Sequence, residues 1–576
     1  MTDKKKNESF IRSLCVGEIN EKIIFPYPKM KSDEKESLKT ISDSIESWLG
    51  DKGEEFRKWD VEGKLPDNIL QEMREFGLFG LIIPEEHGGF SLSTTAYSRT
   101  IQELSKHDGS LTLTCGAHSS IGMRGLLMFG NDAQKKKYLP KLATGELIAA
   151  YCLTEAGSGS DAASIKTTAK KEGDHWILSG EKLWITNGEC GDFFTVFAAT
   201  DSPEGKMTAF LVTRDMGGVS NGPKEDKMGI RSSNTTTVFF DNVKVPQENV
   251  LGEVGKGFKI AMKILNMGRT GLGGGCVGGM KSLIDMTTKQ AKERKQFGKS
   301  IAEFGMIKSK IGQMIVDCYA AESAVNMVNG LIDQGYEDYA VEAAISKIFA
   351  TEALWRTSDE ALQIAGGNGF MREFAYERIM RDCRINRIFE GTNEILRLFT
   401  ALTAISDAGQ QLKDLQKAVK DPIKGFGLFV DYAKKHMKAT KALKVMRPTV
   451  SKAHPALKRS AAIFETEVQR LTTSVDRILR KHGKNIIGKQ LATNRLANII
   501  IDIFVMGSML SRVTQSIEEK GLEDAAQEME ILEVFTHQAH KRISGLLKRI
   551  DDNVDEQIKS LSDHAVEKEA YSWDIL

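Results

Sequence analysis

The chain has 576 residues, enough for roughly three or four domains that each bury a core. Apolar residues make up 41% and charged residues 27%, a composition typical of a soluble globular protein. The formal net charge of +1 argues against nucleic-acid binding over a broad surface, although it leaves room for a local basic patch.

Three features of the sequence bear on its compartment. The seven cysteines include no C-x-x-C pair, which favours reduced thiols in a cytosol or matrix over a disulfide framework or zinc site. The N-terminal stretch carries acidic residues and lacks an apolar core, so we expect neither a signal peptide nor a typical transit peptide. The longest apolar run, 496–510, is interrupted by Asp502 and is too short to span a bilayer. We therefore expect a soluble protein, or at most a peripheral one.

The order of sequence patterns predicts an α+β fold that is mainly α. After an N-terminal extension (1–34), apolar residues recur at three- and four-residue spacings over 35–148, which indicates a helical domain. Residues 149–256 contain short segments rich in Thr, Val and Phe, as in a small β-barrel or sandwich. Five strands are predicted there, at 164–170, 175–182, 193–200, 207–214 and 235–241.

Helical periodicity then returns twice. We predict a helical bundle over 257–405, a linker at 406–435 and an additional C-terminal helical domain over 436–576. In the last region, apolar residues recur on one helix face: Ala461, Phe464, Val468, Leu471, Val475 and Ile478.

The segment 384–397 contains the most informative residue. Glu390 has apolar neighbours and precedes Gly391, so its pKa should rise towards the range of a general base, and the glycine permits close approach of a ligand. The alternative is a helix start capped by Thr392 or Asn393, with Glu390 as an exposed carboxylate. The segment alone leaves both interpretations open.

Two further patterns have structural interpretations. The cluster 271–279 contains G-x-G-x-x-G, but a helical stretch precedes it where a dinucleotide fingerprint needs a strand, so we interpret it as close helix packing. His537 and His540, with Glu533 one turn earlier, could place three metal ligands on one helix face. A solvated face is favoured, and we predict no metal site.

Two segments of the β region carry groups that could converge on a ligand. Tyr151–Asp161 combines small residues and hydroxyls at the edge of the sheet, where backbone N–H and side-chain groups can meet a polar ligand or simply form a turn. In 182–188, Trp184 is flanked by hydroxyl and amide donors, although a tryptophan is most often part of a core.

Taken together, these segments resemble the acyl-CoA dehydrogenase family over nearly the whole chain. The two middle-domain signatures of the family look like 151–161 and 184–188, and its segment that contacts flavin from a neighbouring subunit resembles 294–299. Its bundle signature resembles 363–370, followed by the Glu390 segment. The family also has the domain order predicted above.

A closer branch is indicated as well. The chain length, the added C-terminal region and the segments 25–28 and 116–122 resemble the very-long-chain branch of this family. Ala156 is a departure, since many members have proline there, and it should alter only the stiffness of the loop.

The resemblance implies an FAD-dependent enzyme that converts long or very-long acyl-CoA thioesters to trans-2-enoyl-CoA, the first step of fatty acid β-oxidation. Glu390 would remove the α-proton while a hydride passes from the β-carbon to the flavin. Some branches carry the base just before the arginine that is Arg269 here, but that position is Gly268, which cannot serve. Arg269 would then support the site, or be an ordinary helix-surface arginine.

The resemblance also implies a larger set of site residues. FAD contacts are expected from Tyr151, Leu153, Thr154, Gly159, Ser160, Trp184, Ile185, Thr186, Arg294, Phe297, Gln363, Gly366, Gly367, Thr392 and Glu394. Acyl-CoA contacts are expected from Ser160, Asn266, Arg269, Phe389, Gly391, Gly122 and Gly125. Residues that would reach a cofactor held by a second subunit are Arg294, Phe297, Gln363 and Gly367.

The last two glycines carry the inference about chain length. Gly122 and Gly125 are one turn apart on a predicted helix, and in the very-long-chain branch glycines at this place open the bottom of the acyl tunnel. The alternative is tight helix packing.

The implied partners are the acyl-CoA substrate, electron-transfer flavoprotein and a second copy of the chain in a homodimer. A basic amphipathic segment, 476–496, could lie on an anionic membrane, with a solvated helix face as the alternative. No nucleic acid is expected. The location would be the cytoplasm of a bacterium, with peripheral association at the inner membrane, or the mitochondrial matrix or inner membrane of a eukaryote.

Three other functions stay open. The first is an acyl-CoA oxidase, which the C-terminal residues 573–576 disfavour because they are not a peroxisomal address. The second is an assembly factor for respiratory complexes, against which the intact Glu390 weighs. The third is a DNA-associated relative, for which the net charge is unfavourable.

Overall fold

The computed structural model describes residues 8–201, 206–410 and 450–575, which form two compact units. Tyr27–Leu396 belongs to the first unit, whereas Glu8–Pro26 and the chain from Arg397 onward belong to the second. Residues 8–26 thus pack with the C-terminal region, although the sequence suggested an extension ahead of the first domain. The predicted linker at 406–435 lies largely outside the described residues.

The first unit opens with a layer of helices. After α1 (Phe10–Cys15) and α2 (Glu21–Ile24) of the second unit, this layer comprises α3 (Ser32–Leu49), α4 (Gly53–Glu62), α5 (Asp67–Glu75), α6 (Thr94–Ser105), α7 (Gly109–Gly116), α8 (Arg124–Phe129) and α9 (Asp132–Thr144). Side chains cap several of these helices: Ser93 accepts from the N–H of Ala96, and Asp108 accepts from the N–H of Leu111.

A π-helical turn, Ala117–Gly122, follows α7 directly. A π turn takes up an extra residue, and such turns are frequent at functional sites. It also rotates every residue that follows relative to an uninterrupted α-helix.

A sheet of eight strands follows the helical layer. Its strands are β1 (Ala149–Cys152), β2 (Thr168–Glu172), β3 (His175–Thr186), β4 (Phe193–Ala199), β5 (Met207–Thr213), β6 (Val219–Lys224), β7 (Thr235–Pro246) and β8 (Val250–Leu251). The order is β6-β7-β3-β2-β4-β5-β8, and β1 pairs in parallel with β4, with Ala149 opposite Phe193. Of the longer strands, β4 and β5 are the most deeply buried, since nearly all their residues are buried.

The five predicted strands are present, and three more were missed. β1 is short and rich in alanine, β6 contains Gly222 and Pro223, and β8 has only two residues. None of them carries the alternating pattern from which a strand is predicted.

Long helices complete the first unit: α10 (Gly257–Glu293), α11 (Gly305–Asp333), α12 (Ala340–Ala365), α13 (Gly367–Phe370), α14 (Ala375–Arg384) and the start of α15 (Asn393–Ala404). A small hairpin of β9 (Lys295–Gln296) and β10 (Lys299–Ser300) joins α10 to α11. The packing interpretation of the glycine cluster is confirmed, since a Cβ at Gly274 would lie 2.4 Å from Ser98 Oγ and one at Gly278 would lie 2.1 Å from the Gln102 carbonyl oxygen.

The second unit is helical in its described part. Its C-terminal helices are α16 (Lys458–His482), α17 (Gln490–Asp524, interrupted at Gly521), α18 (Ala526–Lys548) and α19 (Asp555–Lys568). The predicted apolar face of α16 is buried, and α1 packs against it, with Thr472 Oγ1 donating to the Leu14 carbonyl at 3.1 Å.

One described helix, α17, is long and apolar enough to cross a membrane, but 89% of its apolar stretch is buried within the protein. Its Asp502 forms an ion pair with Arg542 at 2.7 Å, so the charge that interrupts the apolar run has a partner. In the same unit, His540 contacts Glu467 at 2.6 Å, and no group of three or more potential metal ligands occurs among the described residues.

Candidate active site

A cavity of about 520 Å³ lies in the first unit, between the helical layer, the sheet and α10. Its wall is mainly apolar and includes residues from α6, α7, the π turn, α10 and α14. The predicted site residues that border it are Tyr151, Leu153, Thr154, Gly159, Ser160, Trp184, Ile185, Thr186, Arg269, Phe389, Glu390 and Gly391. Segments far apart in the sequence therefore meet here.

The turn that carries Glu390 has an unusual backbone. Glu390 and Gly391 both have left-handed conformations, with φ of 56° and 91°, between a short 3-10 helix and α15. Such a conformation costs a non-glycine residue about 1–3 kcal/mol, and such residues cluster at functional sites. Thr392 Oγ1 accepts from the N–H of Ile395 at 3.3 Å, so the predicted cap of α15 is present.

The cap does not make Glu390 an exposed carboxylate. Its Oε2 atom is buried and makes no hydrogen bond to any residue in the described ranges, while the residue as a whole borders the cavity. An unpartnered buried oxygen that faces an apolar cavity is suited to accept a proton from a ligand.

Burial and two cations set the charge of this carboxylate. Burial raises the pKa of Glu390 to about 7, while Arg269 and then Lys347 act to lower it. The Arg269 guanidinium is itself buried, which lowers its pKa to about 10 and leaves it charged at neutral pH. Its Nε donates to the Glu390 carbonyl at 3.4 Å and its Nη1 to Asn266 Oδ1 at 2.5 Å. Arg269 is therefore not a helix-surface arginine.

Gly268, the residue before Arg269, also lies next to the Glu390 carboxylate. A Cβ at Gly268 would lie 3.3 Å from Glu390 Oε1 and 2.7 Å from Ile121 Cγ2. A carboxylate could reach the same end of the cavity from either position, and in this chain only residue 390 supplies one.

A buried ion pair holds the loop that follows β1. Lys182 Nζ donates to Glu155 Oε1 at 2.6 Å and to the Leu153 carbonyl at 3.1 Å. The other donors to Glu155 are the backbone N–H groups of Lys166 and Thr167. Burial raises the pKa of Glu155, but these hydrogen bonds outweigh it and hold the pKa below its usual value.

Neither partner of this pair was predicted. A signal was present in the sequence, because Lys182 is in phase with the buried Trp176 and Leu178 on β3. A lysine on the inward face of a strand needs a partner, since a buried charge is costly without one.

Trp184 is not a core residue. It borders the cavity with 62% of its surface exposed and has a left-handed φ of 55°. An aromatic ring held open on a cavity wall provides a surface on which a planar ligand can stack.

Several predicted residues lie outside the cavity wall. Arg294, Phe297, Gln363, Gly366 and Gly367 are exposed, Phe297 by 94%. They are therefore accessible to another molecule, and their expected contact with a cofactor in a second subunit stays a prediction.

The remaining predicted contacts also lie apart from the cavity. Thr392 caps α15, Glu394 is exposed and Asn266 holds Arg269. Asn266 thus reaches the site only through the arginine.

Gly122 and Gly125 do not border the cavity either. A Cβ at Gly122 would lie 2.9 Å from the backbone carbon of Ala149, and one at Gly125 would lie 2.9 Å from Ile264 Cδ1. Both glycines are tightly packed, and the expectation that they open the bottom of the acyl tunnel stays a prediction. The cavity wall on this side is formed instead by Thr112, Leu113, Gly116, Ala117, Ser120 and Ile121.

Comparisons with known proteins agree with this architecture. Family models of the acyl-CoA dehydrogenases match in order: the N-terminal domain at 35–146, the middle domain at 150–243 and the C-terminal domain at 255–404. The model of the ACAD9/ACADV C-terminal domain matches 455–571.

Similar proteins include the mitochondrial very long-chain specific acyl-CoA dehydrogenase of Macaca fascicularis, 43% identical over 94% of this chain and 84% of that protein. The enzyme of the same description from Homo sapiens is 42% identical with the same coverage. An acyl-CoA dehydrogenase of Bacillus subtilis is 38% identical over 58% of this chain and 89% of its own.

Solved structures give the same result. An acyl-CoA dehydrogenase complexed with FAD from Bacillus anthracis has a TM-score of 0.81 at 35% identity, covering 98% of this chain and 96% of its own. Butyryl-CoA dehydrogenase from Megasphaera elsdenii has a TM-score of 0.62 at 35% identity, covering 65% and 98%. A chain from the electron transferring flavoprotein of Acidaminococcus fermentans has 0.63 at 34% identity, covering 66% and 99%.

The residues of the cavity fit FAD. The exposed face of Trp184 suits the flat ring system, and the hydroxyls of Thr154, Ser160 and Thr186 border the same wall. The loop that carries Thr154 and Ser160 is the one held by the Glu155–Lys182 pair. This loop is also tied to β3, because the N–H of Leu183 donates to the Thr154 carbonyl at 2.9 Å.

Replacing Lys182 with methionine should weaken FAD binding. The change leaves Glu155 and the Leu153 carbonyl without their buried donor, so the loop loses its fixed position. We expect about 10- to 100-fold weaker binding, from the cost of roughly 1–3 kcal/mol for such a loss. Titration of the apoprotein with FAD, followed by flavin fluorescence, measures it. Lys170→Met, at an exposed position on β2, is the control; equal affinity in both variants would contradict the prediction.

Proposed function

The chain belongs to the acyl-CoA dehydrogenase family, the FAD-dependent oxidoreductases that dehydrogenate acyl-CoA thioesters in fatty acid oxidation, and we propose that Glu390 is its base and long acyl chains are its substrates. The observation that carries the first part is the buried Oε2 of Glu390, which has no hydrogen-bond partner among the described residues and belongs to a residue in the cavity wall. Arg269 supports it, because it fixes the Glu390 carbonyl and is a cation facing the carboxylate.

In the reaction, the α-hydrogen of the thioester leaves as a proton and the β-hydrogen leaves with its electron pair. Glu390 accepts the α-proton, for which a raised pKa makes the carboxylate a sufficiently strong base at neutral pH. FAD, held against the wall that carries Thr154, Ser160, Trp184 and Thr186, would supply the acceptor for the hydride from the β-carbon. A double bond forms between the two carbons, which gives trans-2-enoyl-CoA.

The negative charge that develops on the thioester oxygen needs donors. The N–H of Glu390 makes no hydrogen bond with another described residue, and it is the donor that the family resemblance implies, together with a ribityl hydroxyl of the cofactor. A donor of this kind contributes on the order of 3 kcal/mol to the stability of a transition state. Gly391, at φ 91°, leaves the backbone beside it without a side chain.

Glu390→Gln should abolish reduction of the flavin by substrate. The purified holoenzyme is mixed anaerobically with palmitoyl-CoA, and bleaching of the flavin absorbance is followed in time. We expect a loss of at least about 10²- to 10⁴-fold in rate, because the amide cannot accept the proton. Glu373→Gln, at an exposed loop position, is the matched control and should react like the wild type.

The same experiment separates the competing functions. Slow reoxidation by air with fast reoxidation by electron-transfer flavoprotein supports a dehydrogenase, whereas fast reoxidation by air would indicate an oxidase. A wild-type flavin that palmitoyl-CoA does not reduce would favour the assembly factor. Unchanged bleaching in Glu390→Gln would exclude Glu390 as the base.

The long-chain proposal is supported by two rows of residues on adjacent helices that both border the cavity. On α10 the row is Gly271, Gly275 and Gly279, and on α6 it is Tyr97, Ile101 and Ser105. Residues four apart lie on one face of a helix, so the cavity follows the two helices. Between the level of Glu390, at Gly268, and Gly279, the helix rises about 16 Å at 1.5 Å per residue.

The absence of side chains on this row keeps α10 from filling the cavity beside α6. A Cβ at Gly271 would lie 3.1 Å from Tyr97 Cε1, and one at Gly275 would lie 3.6 Å from Ile101 Cγ2. A larger side chain on this face of α10 would therefore project into the space for the acyl chain. The relatives described as very long-chain specific support the same substrate class.

Gly275→Leu should select against long substrates. We expect kcat/KM for palmitoyl-CoA to fall by about 10- to 200-fold, the range for a misfitted hydrophobic pocket, while that for butyryl-CoA stays within about twofold. Gly312→Leu is the control, since Gly312 is exposed on α11 and a Cβ at this position would have no neighbouring atom within 4 Å. Equal losses on both substrates would contradict the proposal.

The proposed partners are a second copy of the chain and electron-transfer flavoprotein. The exposure of Arg294 and Phe297 supports the dimer. Both residues are expected to contact FAD, yet neither borders the cavity of its own chain, so the FAD that they contact would belong to a second copy. We propose a reducing compartment as the location, the cytoplasm of a bacterium or the mitochondrial matrix, as the buried thiols and the mitochondrial relatives suggest.

We also propose a narrower membrane contact than the segment 476–496. Ion pairs within the second unit occupy four of its basic residues: Arg477 and Lys481 with Asp551, Arg480 with Asp476, and Arg495 with Asp555. Lys484 and Lys489 flank Ile487, which is 68% exposed. An exposed apolar side chain between two lysines is suited to an anionic bilayer surface.

Lys489→Glu should reduce this contact. In a flotation assay, we expect wild-type protein to float with vesicles that contain anionic lipid and not with zwitterionic vesicles, and the variant to float less, because each cation near the surface contributes about 1 kcal/mol. Lys541→Glu, on the exposed face of α18, is the matched control. Wild-type protein that stays at the bottom of the gradient with anionic vesicles would refute the proposal.

A further inference from the structure

Lys347 is a buried lysine that the reaction described above does not use. It lies on α12 with none of its surface exposed, and it does not border the cavity. Its Nζ donates to the Gly391 carbonyl at 2.9 Å and to Asn393 Oδ1 at 2.9 Å. It therefore contacts the turn that carries Glu390 from behind the cavity wall.

This turn needs external support. Glu390 and Gly391 are consecutive residues with left-handed φ, a conformation that persists only where the surroundings fix it. The Gly391 carbonyl receives its donor from Lys347, and Arg269 donates to the carbonyl of Glu390. Two cations on two helices thus hold two successive carbonyls of one turn.

Asn393 connects the lysine to the rest of α12. Its Nδ2 donates to Thr351 Oγ1 at 3.0 Å and to Glu352 Oε1 at 3.0 Å, and the residue is fully buried. The first residue of α15 is therefore fixed to α12 through Lys347, Thr351 and Glu352. Glu352 is also paired with Arg387, at 3.0 Å, on the segment that enters the turn.

The charge of Lys347 acts on the same carboxylate. Burial lowers the pKa of this lysine to about 8, and the nearby Glu390 carboxylate opposes that effect, so the lysine is still mostly an ammonium at neutral pH. The groups that face Glu390 are Arg269 and Cys276 on α10, Tyr151 on β1, Tyr97 on α6 and Lys347 itself. Burial raises the pKa of the thiol and both phenols, so among these described groups the arginine and the lysine are the ones that bear charge at neutral pH.

We propose that Lys347 is a positioning residue for the dehydrogenation: it fixes the Glu390–Gly391 turn through the Gly391 carbonyl and keeps the Glu390 carboxylate ionised. This inference rests on the proposed role of Glu390 as the base. Burying a charged lysine costs free energy, and a role in positioning the base explains why this lysine is buried.

Two substitutions separate the two parts of this role. Lys347→Met removes both the charge and the donor, whereas Lys347→Gln removes the charge and keeps an N–H donor for the turn. Lys308→Met, at an exposed position on α11, removes a charge of the same sign from the surface and is the control. The holoenzymes are compared in anaerobic reduction by palmitoyl-CoA over a range of pH, together with their FAD content and Tm.

Loss of the ammonium raises the pKa of Glu390, so the base is protonated over a wider range. We expect the acid limb of the pH–rate profile to move about one pH unit higher in both Lys347 variants, which makes the rate at the wild-type midpoint several-fold lower. At high pH, Lys347→Gln should recover more of the wild-type rate than Lys347→Met, because its turn retains a donor.

Each other outcome overturns the inference. If both the acid limb and the high-pH plateau of the pH–rate profile are unchanged, the lysine neither affects the ionisation of Glu390 nor positions it. Loss of FAD or of folding in both Lys347 variants assigns the residue to stability alone. Glu390→Gln in the same series separates a failure of the proposed base from a failure of the proposed role of Lys347. If that variant keeps wild-type activity, the proposed base is wrong. If it is inactive while the Lys347 variants are normal, only the role of Lys347 is wrong.

Discussion

The site depends on one constraint: a carboxylate must be withdrawn from water and still be able to ionise. Burial alone would keep Glu390 protonated, and full solvation would make it too weak a base. The compromise comes from two cations on separate helices, Arg269 on α10 and Lys347 on α12, whose charges oppose the effect of burial. The bundle therefore has to bury two cationic residues, and both use the backbone of the same turn as a hydrogen-bond partner.

The same helix that positions the arginine also shapes the cavity. Gly274 and Gly278 let α10 approach α6 closely, while Gly271 and Gly275 border the cavity. Because an α-helix turns by about 100° per residue, adjacent glycines in one cluster point to different surroundings. A single run of small residues thus serves both the close packing of α10 on α6 and the wall of the cavity.

Much of this could be predicted from the sequence, because the decisive signals were local. The helix cap at Thr392 and the apolar neighbours of Glu390 are consecutive residues, and the order of helical and β regions follows from periodicity. The buried charges were missed for the opposite reason. Lys182 and Lys347 find their partners through folding, in Glu155 and in the Gly391 carbonyl, and neither partner is adjacent in sequence.

The local packing of Gly122 and Gly125 could not be predicted. Their expected place at the tunnel came from the resemblance to the very-long-chain branch, whereas the structure has a π turn at Ala117–Gly122 that inserts a residue and changes which side chains face inward. Nothing in the sequence announces that turn. Trp184 illustrates a related limit, because its exposure depends on a left-handed backbone conformation that a non-glycine residue rarely adopts.

The division of the chain has a consequence for its biosynthesis. The second unit is discontinuous, since α1 and its neighbours are made first and the helices they pack against are made last. The first unit is complete on the nascent chain before the second can assemble, in line with domains forming as units during translation. The apolar side chains of Phe10, Ile11 and Leu14 therefore have to stay available throughout synthesis until α16 emerges from the ribosome.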